Sequence, residues 1–277
     1  ITSANGIKAL GNAGIRKVGN ESLLESNDAV HLGSNGKAMT AILICQLIEQ
    51  RKLAFSTPMS EIFSELNKKM HTISRTITVR QLLDHTAALP PNLDWYRMSS
   101  SMYTVKQLRQ QVVQEALALG PTKSQTLGQY LYSNTGYVIL GAIVETLTGE
   151  PWESVIQREI FDRLDMKSGG FGVPGGVKKS TTFSSWLGMS SKSQSVDRAH
   201  GHVPSKFAIF SSNPYSVCQI DNAPVVGPAG TIHCSIPDWA KFVSKIILLT
   251  GAASVGTANA PSSSVVDVLS SVLSAVT

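Results

Sequence analysis

The sequence has no apolar run of 18 residues, no block of five or six like charges and too few cysteines for a disulfide framework. The first absence excludes a transmembrane helix. The second argues against a nucleic-acid partner. Net charge is only +5, its densest basic spots are Lys68-Lys69 and Lys178-Lys179, and the excess reads as solvated surface. The three cysteines are expected to be free thiols, although Cys218 and Cys234 could pair, and Cys45 reads as a core residue. No carboxylate or cysteine at ligand spacing accompanies His200-Gly-His202, so no metal is expected. No cofactor is expected either. The glycine-rich stretch Gly169–Gly176 lacks the Gly-Lys-Ser/Thr ending of a phosphate loop and reads as plain turns. No signal peptide is visible, and the chain opens on Ile1, so an upstream piece is expected to have been removed or left out. With 277 residues and 42% apolar composition, the chain is globular, as one large domain or two modest ones.

The informative stretch is His31-Leu-Gly-Ser34-Asn-Gly-Lys37-Ala-Met-Thr40, followed by the apolar run Ala41 to Ile48. That run is apolar almost all round, so it reads as a buried helix, with Ser34 at or near its N-terminus. Lys37 lies three residues on, which puts both side chains on one face. A serine at a helix start is often only an N-cap. A lysine in the first turn opposes the helix dipole, so stability alone would not select it. A lysine that can lose its proton beside a hydroxyl is a nucleophile–base pair.

Around this stretch the chain reads as follows. Residues 1–18 suggest a hairpin turning at Asn5-Gly6, with Ile7, Ala9, Ile15 and Val18 toward a core. Short helices are expected at Met59–Leu66 and after Thr78 as N-cap. Longer ones are expected at Val105–Leu119, at Tyr137–Leu147 stopped by Gly149, and at Trp152–Leu164. Tyr132–Gly136 reads as a loop. Residues 177–226 are Ser-rich and irregular. Ser235 reads as an N-cap and Pro237 as the first residue of a helix running to about Leu249. The tail from Ser254 reads as a weak helix or as non-native-like. The domain reading is a sheet-containing region from 1–33 and 176–277, and a mainly helical region over 34–175.

Tyr132-x-Asn134 occurs once, just before a helix, as Ser34-x-x-Lys37 does at a helix start. Together they form a coherent set. A serine hydroxyl is inert near neutral pH without a base in reach, a phenol and a buried amine can share its proton, and an amide can orient a substrate carbonyl. Singly, Tyr132 could be a core tyrosine and Asn134 a turn residue. His85, at a helix end, is favourable there for its charge. A Ser-His-Asp triad through Ser34 ranks lower, since no Gly-x-Ser-x-Gly elbow is present.

These motifs resemble those of the penicillin-recognising serine hydrolases, in particular class C β-lactamases, D-alanyl-D-alanine carboxypeptidases and related esterases. Thr78-Val-Arg-Gln-Leu-Leu-Asp-His85-Thr86 resembles the family's Leu-Leu-x-His-Thr-Ser-Gly stretch, with Ala87-Ala88 in place of Ser-Gly. Tyr132–Gly149, Ile160–Met166 and Gly227–Phe242 also resemble family segments, so the likeness spans about residues 7 to 249. The resemblance implies an α/β (α+β) fold: a β-lactamase-like antiparallel sheet flanked by helices, plus an inserted all-helical domain. It implies a serine hydrolase acting on an ester, amide or β-lactam through an acyl-enzyme, and a secreted or periplasmic location. Ser34 would be the nucleophile, Lys37 its proton acceptor, Tyr132 the proton carrier to the leaving group and Asn134 a substrate-binding residue. The partner would be a small-molecule or peptide substrate. The family's third motif, Lys-Thr-Gly or His-x-Gly on a later strand, is not found after residue 242. Lys167-Ser168-Gly169 and His31-Leu-Gly33 match its letters elsewhere. Either the chain is a truncated or aberrant one with an incomplete sheet, which is the expectation, or the tail supplies a substitute edge; a sheet without its central strands would be marginally stable or oligomeric because of open edges. The alternative function is a non-catalytic binding or assembly protein.

Overall fold

The computed structural model describes residues 1–95, 97, 102–122, 125–174, 199–204, 215–218, 222–254 and 265–267. Most of the Ser-rich 177–226 stretch, most of the tail and the side chain of Cys218 lie outside the described residues. Strands are β1 (Thr2–Ser3), β2 (Gly6–Ile7), β3 (Ala29–His31), β4 (Gly170–Phe171), β5 (Gly201–Pro204), β6 (Tyr215–Cys218) and β7 (Ile232–Ser235). Helices are α1 (Lys37–Glu49), α2 (Met59–Ile62), α3 (Val79–Leu83), α4 (Val105–Leu119), α5 (Asn134–Thr148), α6 (Trp152–Ile156), α7 (Gly227–Gly230) and α8 (Ile236–Ser254). None is long and apolar enough to cross a membrane among the described residues.

The helical body is built on α1, which is buried at every position from Lys37 to Cys45, as its all-round apolar sequence requires. It packs on α5, which is buried from Thr135 to Glu145 and packs in turn on α4. Fully buried Leu43, Ile44, Val112, Ile139 and Ile143 join these three helices, each burial worth roughly 1.5–3 kcal/mol. The ends follow local chemistry. Thr78 and Thr104 each form a reciprocal capping box, with Gln81 and Gln107. Gly149 ends α5 in the left-handed conformation at φ +78°. Trp152–Ile156 continues as one π-helical stretch, Gln157–Asp162.

A buried ion cluster ties the body to the segment beneath the site. Arg109 on α4 is fully buried and donates to Glu145 on α5 at 2.5 Å and to Glu153 on α6. It also donates to the carbonyls of Pro224 and Val225 at 3.3 Å, just before α7. Close approach of α7 to α5 requires Gly141, where a Cβ would stand 2.2 Å from Pro228 Cγ.

The described sheets are antiparallel. The main one has the order β3-β7-β4, with Ala29 opposite Ser235, His31 opposite His233 and Phe171 opposite Ile232. Ile232 and Cys234 point into the core. Two-stranded ladders β1-β2 and β5-β6 complete the set.

The structure corrects five expectations. The first turn is Ala4-Asn5, with Gly6 already paired to Ser3 at φ +96°, and each strand is only two residues long. Such a short ladder cannot direct alternate side chains inward. Ile7, Ala9 and Ile15 are accordingly exposed, Ile7 at 42% and Ile15 at 45%. Helix α5 begins at Asn134, three residues early, because the Ser133 hydroxyl accepts the Gly136 N–H at 3.0 Å. Gly170–Phe171 forms an edge strand where turns were expected, since Gly170 has no side chain to meet the His233 ring packed against it. Helix α8 begins at Ile236, so Pro237 is its second residue; the Ser235 cap holds, its Oγ accepting the Asp238 N–H at 3.4 Å.

Candidate active site

Ser34 lies in a single 3-10 turn, Gly33–Gly36, that leads into α1. Gly33 takes φ +55°, a conformation suited to glycine, so the chain can swing from β3 into the helix. Ser34 is exposed and its hydroxyl makes no cap hydrogen bond, which disposes of the plain N-cap role. One turn on, Lys37 is the first residue of α1 and only 2% exposed. Tyr132 immediately precedes the Ser133 cap of α5, and Asn134 is the first residue of that helix. The capping interaction therefore sets the direction of both.

All four residues meet in one hydrogen-bonded set. Tyr132 donates to Ser34 Oγ at 2.6 Å and Lys37 Nζ reaches the same oxygen at 3.1 Å. Lys37 Nζ also donates to Asn134 Oδ1 at 2.8 Å and to the Ala229 carbonyl at 2.6 Å. Asn134 Nδ2 donates to Asn92 Oδ1 at 2.8 Å, which turns the Asn134 oxygen toward the lysine.

Burial pulls the Lys37 pKa down to about 7, because the ammonium is taken out of water. Burial raises the Tyr132 pKa, against a smaller opposing effect of its bond to Ser34, so the phenol keeps its proton at neutral pH. A neutral lysine has two N–H bonds and one lone pair. Asn134 Oδ1 and the Ala229 carbonyl can only accept, so they take the two N–H bonds. The lone pair is left for the Ser34 hydroxyl.

The set opens into a cleft of about 460 Å³ whose lining includes Gly33, Ser34, Asn92, Asn134, Asn222 and Gly230. Gly230 is packed against the chain at Gly33. A Cβ there would stand 3.1 Å from the Gly33 carbonyl group and 3.5 Å from Ser34 N. The absence of a side chain keeps the backbone beside Ser34 open to the cleft.

Several participants carry weak sequence signals. Asn92 reads as part of a Pro-Pro-Asn helix stop, yet it orients Asn134. The Ala229 carbonyl has no side-chain signature at all, although Gly227-Pro-Ala-Gly is an unusual run. His85 reads as a helix-end charge, whereas it is 4% exposed and its pKa is lowered to about 4, by burial and then by Lys37. Its ring stacks on Tyr132. Of the two stray third-motif matches, His31-Leu-Gly33 ends at the cleft, where Gly33 is part of the lining, and Lys167-Ser168-Gly169 is not part of it. Lys167 is exposed and pairs with Asp165 at 3.4 Å, and Ser168 is bonded to Asp238 and Ser235 at the start of α8. His202 Nε2 accepts the Val18 N–H at 2.9 Å. Cys45 and Cys234 are free and buried, with their thiol pKa values pushed up to about 12 mainly by that burial.

The Beta-lactamase family profile matches residues 4–266. The chain belongs to the Beta-lactamase family. Among relatives in this family, the unguisins hydrolase ungD of Aspergillus violaceofuscus is 25% identical over 240 residues, covering 84% of this chain and 39% of that protein. Penicillin-binding protein 4 of Amycolatopsis lactamdurans is 29% identical over 136 residues, 48% of this chain and 34% of that one. The chain thus matches less than half the length of either relative. The D-amino acid amidase of Ochrobactrum anthropi SV3 shares the fold with a TM-score of 0.61 at 19% identity, over 84% of this chain and 59% of that chain.

Proposed function

We propose that this Beta-lactamase family chain is a serine hydrolase that acts on an ester, amide or β-lactam through an acyl-enzyme. The observation that carries the reading is the pair of bonds on one exposed hydroxyl. Ser34 Oγ faces a phenol at 2.6 Å and, at 3.1 Å, a buried amine whose pKa lies near 7. An ordinary surface serine has neither.

The steps follow from the proton positions. Ser34 Oγ attacks the substrate carbonyl carbon while its proton passes to the lone pair of Lys37. The carbonyl π electrons move onto oxygen, to which the Ser34 backbone N–H would donate; losing one such donor costs roughly 10²–10³ in rate in comparable sites. Collapse of the intermediate breaks the bond to the leaving group, which takes its proton from Tyr132 as Lys37 returns one to the phenol. Water then attacks the acyl carbon by the reverse proton path, releasing the acid and restoring Ser34. Asn134 holds Lys37 by its oxygen and borders the cleft, where it positions substrate. The hydrolase and amidase named among similar proteins support bond cleavage of this type.

The test is hydrolysis of p-nitrophenyl esters, D-amino-acid amides and a chromogenic cephalosporin by the parent chain and by Ser34→Ala. Turnover of any class by the parent and none by the variant is expected. Equal rates for the two proteins would reject the assignment and favour a binding role.

A further inference from the structure

We propose that His85 is the positioning residue for Tyr132, holding the phenol on Ser34 by gripping the chain on both sides of it. The inference rests on the reading of Ser34 and Tyr132 given above. His85 follows α3 at φ +58°, in the left-handed region, which non-glycine residues seldom enter and asparagine, aspartate and histidine enter most often. In that conformation three of its groups face one tripeptide. Its carbonyl accepts the Leu131 N–H at 2.8 Å. Its Nδ1 accepts the Ser133 N–H at 3.1 Å. Its ring stacks on the Tyr132 ring, with centroids 4.5 Å apart and planes 30° from parallel. Residues 131, 132 and 133 are therefore each held by a different part of one side chain and backbone.

The Ser133 bond has the clearest physical reason. Ser133 is the cap of α5, so its N–H lies outside the helix ladder, and the residue is only 4% exposed. A buried N–H without a partner is costly. Nδ1 satisfies it only as an unprotonated acceptor, which fixes the neutral tautomer with its proton on Nε2. Among the described residues, Lys37 acts on the ring by its charge and Tyr130, Tyr132 and Tyr137 touch it. The neighbouring carboxylate, Asp84, is paired with Arg80 at 2.5 Å. Burial and the Lys37 charge both act in the same direction, toward the neutral ring.

A purely structural histidine would also satisfy the Ser133 N–H, and the stack on the Tyr132 ring is what ties this one to the phenol. The two roles separate in rate measurements with a fluorophosphonate probe of Ser34. His85→Gly tolerates the positive φ and removes the ring. It is expected to slow phosphonylation by about 30-fold or more, through the maximal rate rather than the half-saturating concentration. His85→Asn also tolerates the conformation and offers an oxygen near the Nδ1 position, so it should recover the rate to within about fivefold of the parent. In a Tyr132→Phe background, His85→Gly should cost less than about threefold, because the residue acts through the phenol. Additive losses in that background, or a folded His85→Gly with the parent's rate, would overturn the inference. A measurement independent of variant folding is the ¹⁵N spectrum of histidine-labelled parent from pH 5 to 9. It should show His85 with a bare Nδ1 and a protonated Nε2 throughout; a protonated Nδ1 would overturn the inference directly. A parent that takes no adduct would instead overturn the reading of Ser34, and this inference with it.

Discussion

The Lys37 ammonium must lose its proton before it can accept one from Ser34, and this requirement sets a pH profile. Burial brings the Lys37 pKa to about 7, from an ordinary value of 10.5. The neutral fraction is then about 1% at pH 5 and about 90% at pH 8, so acylation should rise about 90-fold between them and level off above neutrality. His85, with a pKa of about 4, stays neutral across that range, and Tyr132, with its pKa raised by burial, stays protonated. Neither group bends the curve. The assay is the second-order rate of fluorophosphonate labelling at constant ionic strength, with Ser34→Ala as the blank. A lysine of unshifted pKa would give a rate still climbing tenfold per unit past pH 9, and a bystander lysine a flat profile. Either result refutes the reasoning. Stability carries the opposite face of the same shift. The folded chain binds fewer protons at Lys37 than the unfolded chain between about pH 7 and 10.5, so stability should rise with pH in that window. Below it the protonated lysine costs the fold about 5 kcal/mol net. Denaturant titrations of parent and Lys37→Met should therefore differ most at the acid end.

Other perturbations act through the scaffold. Arg109→Met leaves Glu145 buried without its cation and should cost about 3–5 kcal/mol in urea unfolding. Burial already raises the Glu145 pKa in spite of Arg109, so part of that loss should be recovered by pairing the change with Glu145→Gln. Gly141→Ala drives a methyl into Pro228, and it should lower stability by about 1–3 kcal/mol and slow labelling of Ser34 by shifting the Ala229 carbonyl that holds Lys37. Thr78→Ala removes the cap of α3, a residue outside the cleft lining, and should cost about 1 kcal/mol in thermal unfolding with the labelling rate unchanged.

Helix ends set by a single local interaction were legible in the sequence. Thr78, Val105, Leu119 and Gly149 fall where capping chemistry places them. So was the buried helix behind Ser34, because an apolar run without a polar face has nowhere else to go. Strand pairing was less legible. Ile232–Ser235 is the central strand of its sheet, and although Ile232 and Cys234 alternate with His233 and Ser235, four residues are too short a run to announce a strand or to name its partners. Within the site, Ser34, Lys37, Tyr132 and Asn134 could be named in advance because side-chain chemistry at fixed spacing is written in the residue types. The Ala229 carbonyl could not, since every residue has one and only the α7–α5 packing makes this one reach Lys37. His85 was visible as a residue but not as a partner of Tyr132, which lies 47 positions away and is brought near by the long α4 excursion.

The central claim is that Ser34 is an activated nucleophile, and intact mass after incubation with a fluorophosphonate tests it most directly. A single adduct on the folded parent, mapped to the peptide containing Ser34 and absent from Ser34→Ala, is the expected result. A folded parent that takes no adduct, or takes it equally in the variant, would contradict the claim.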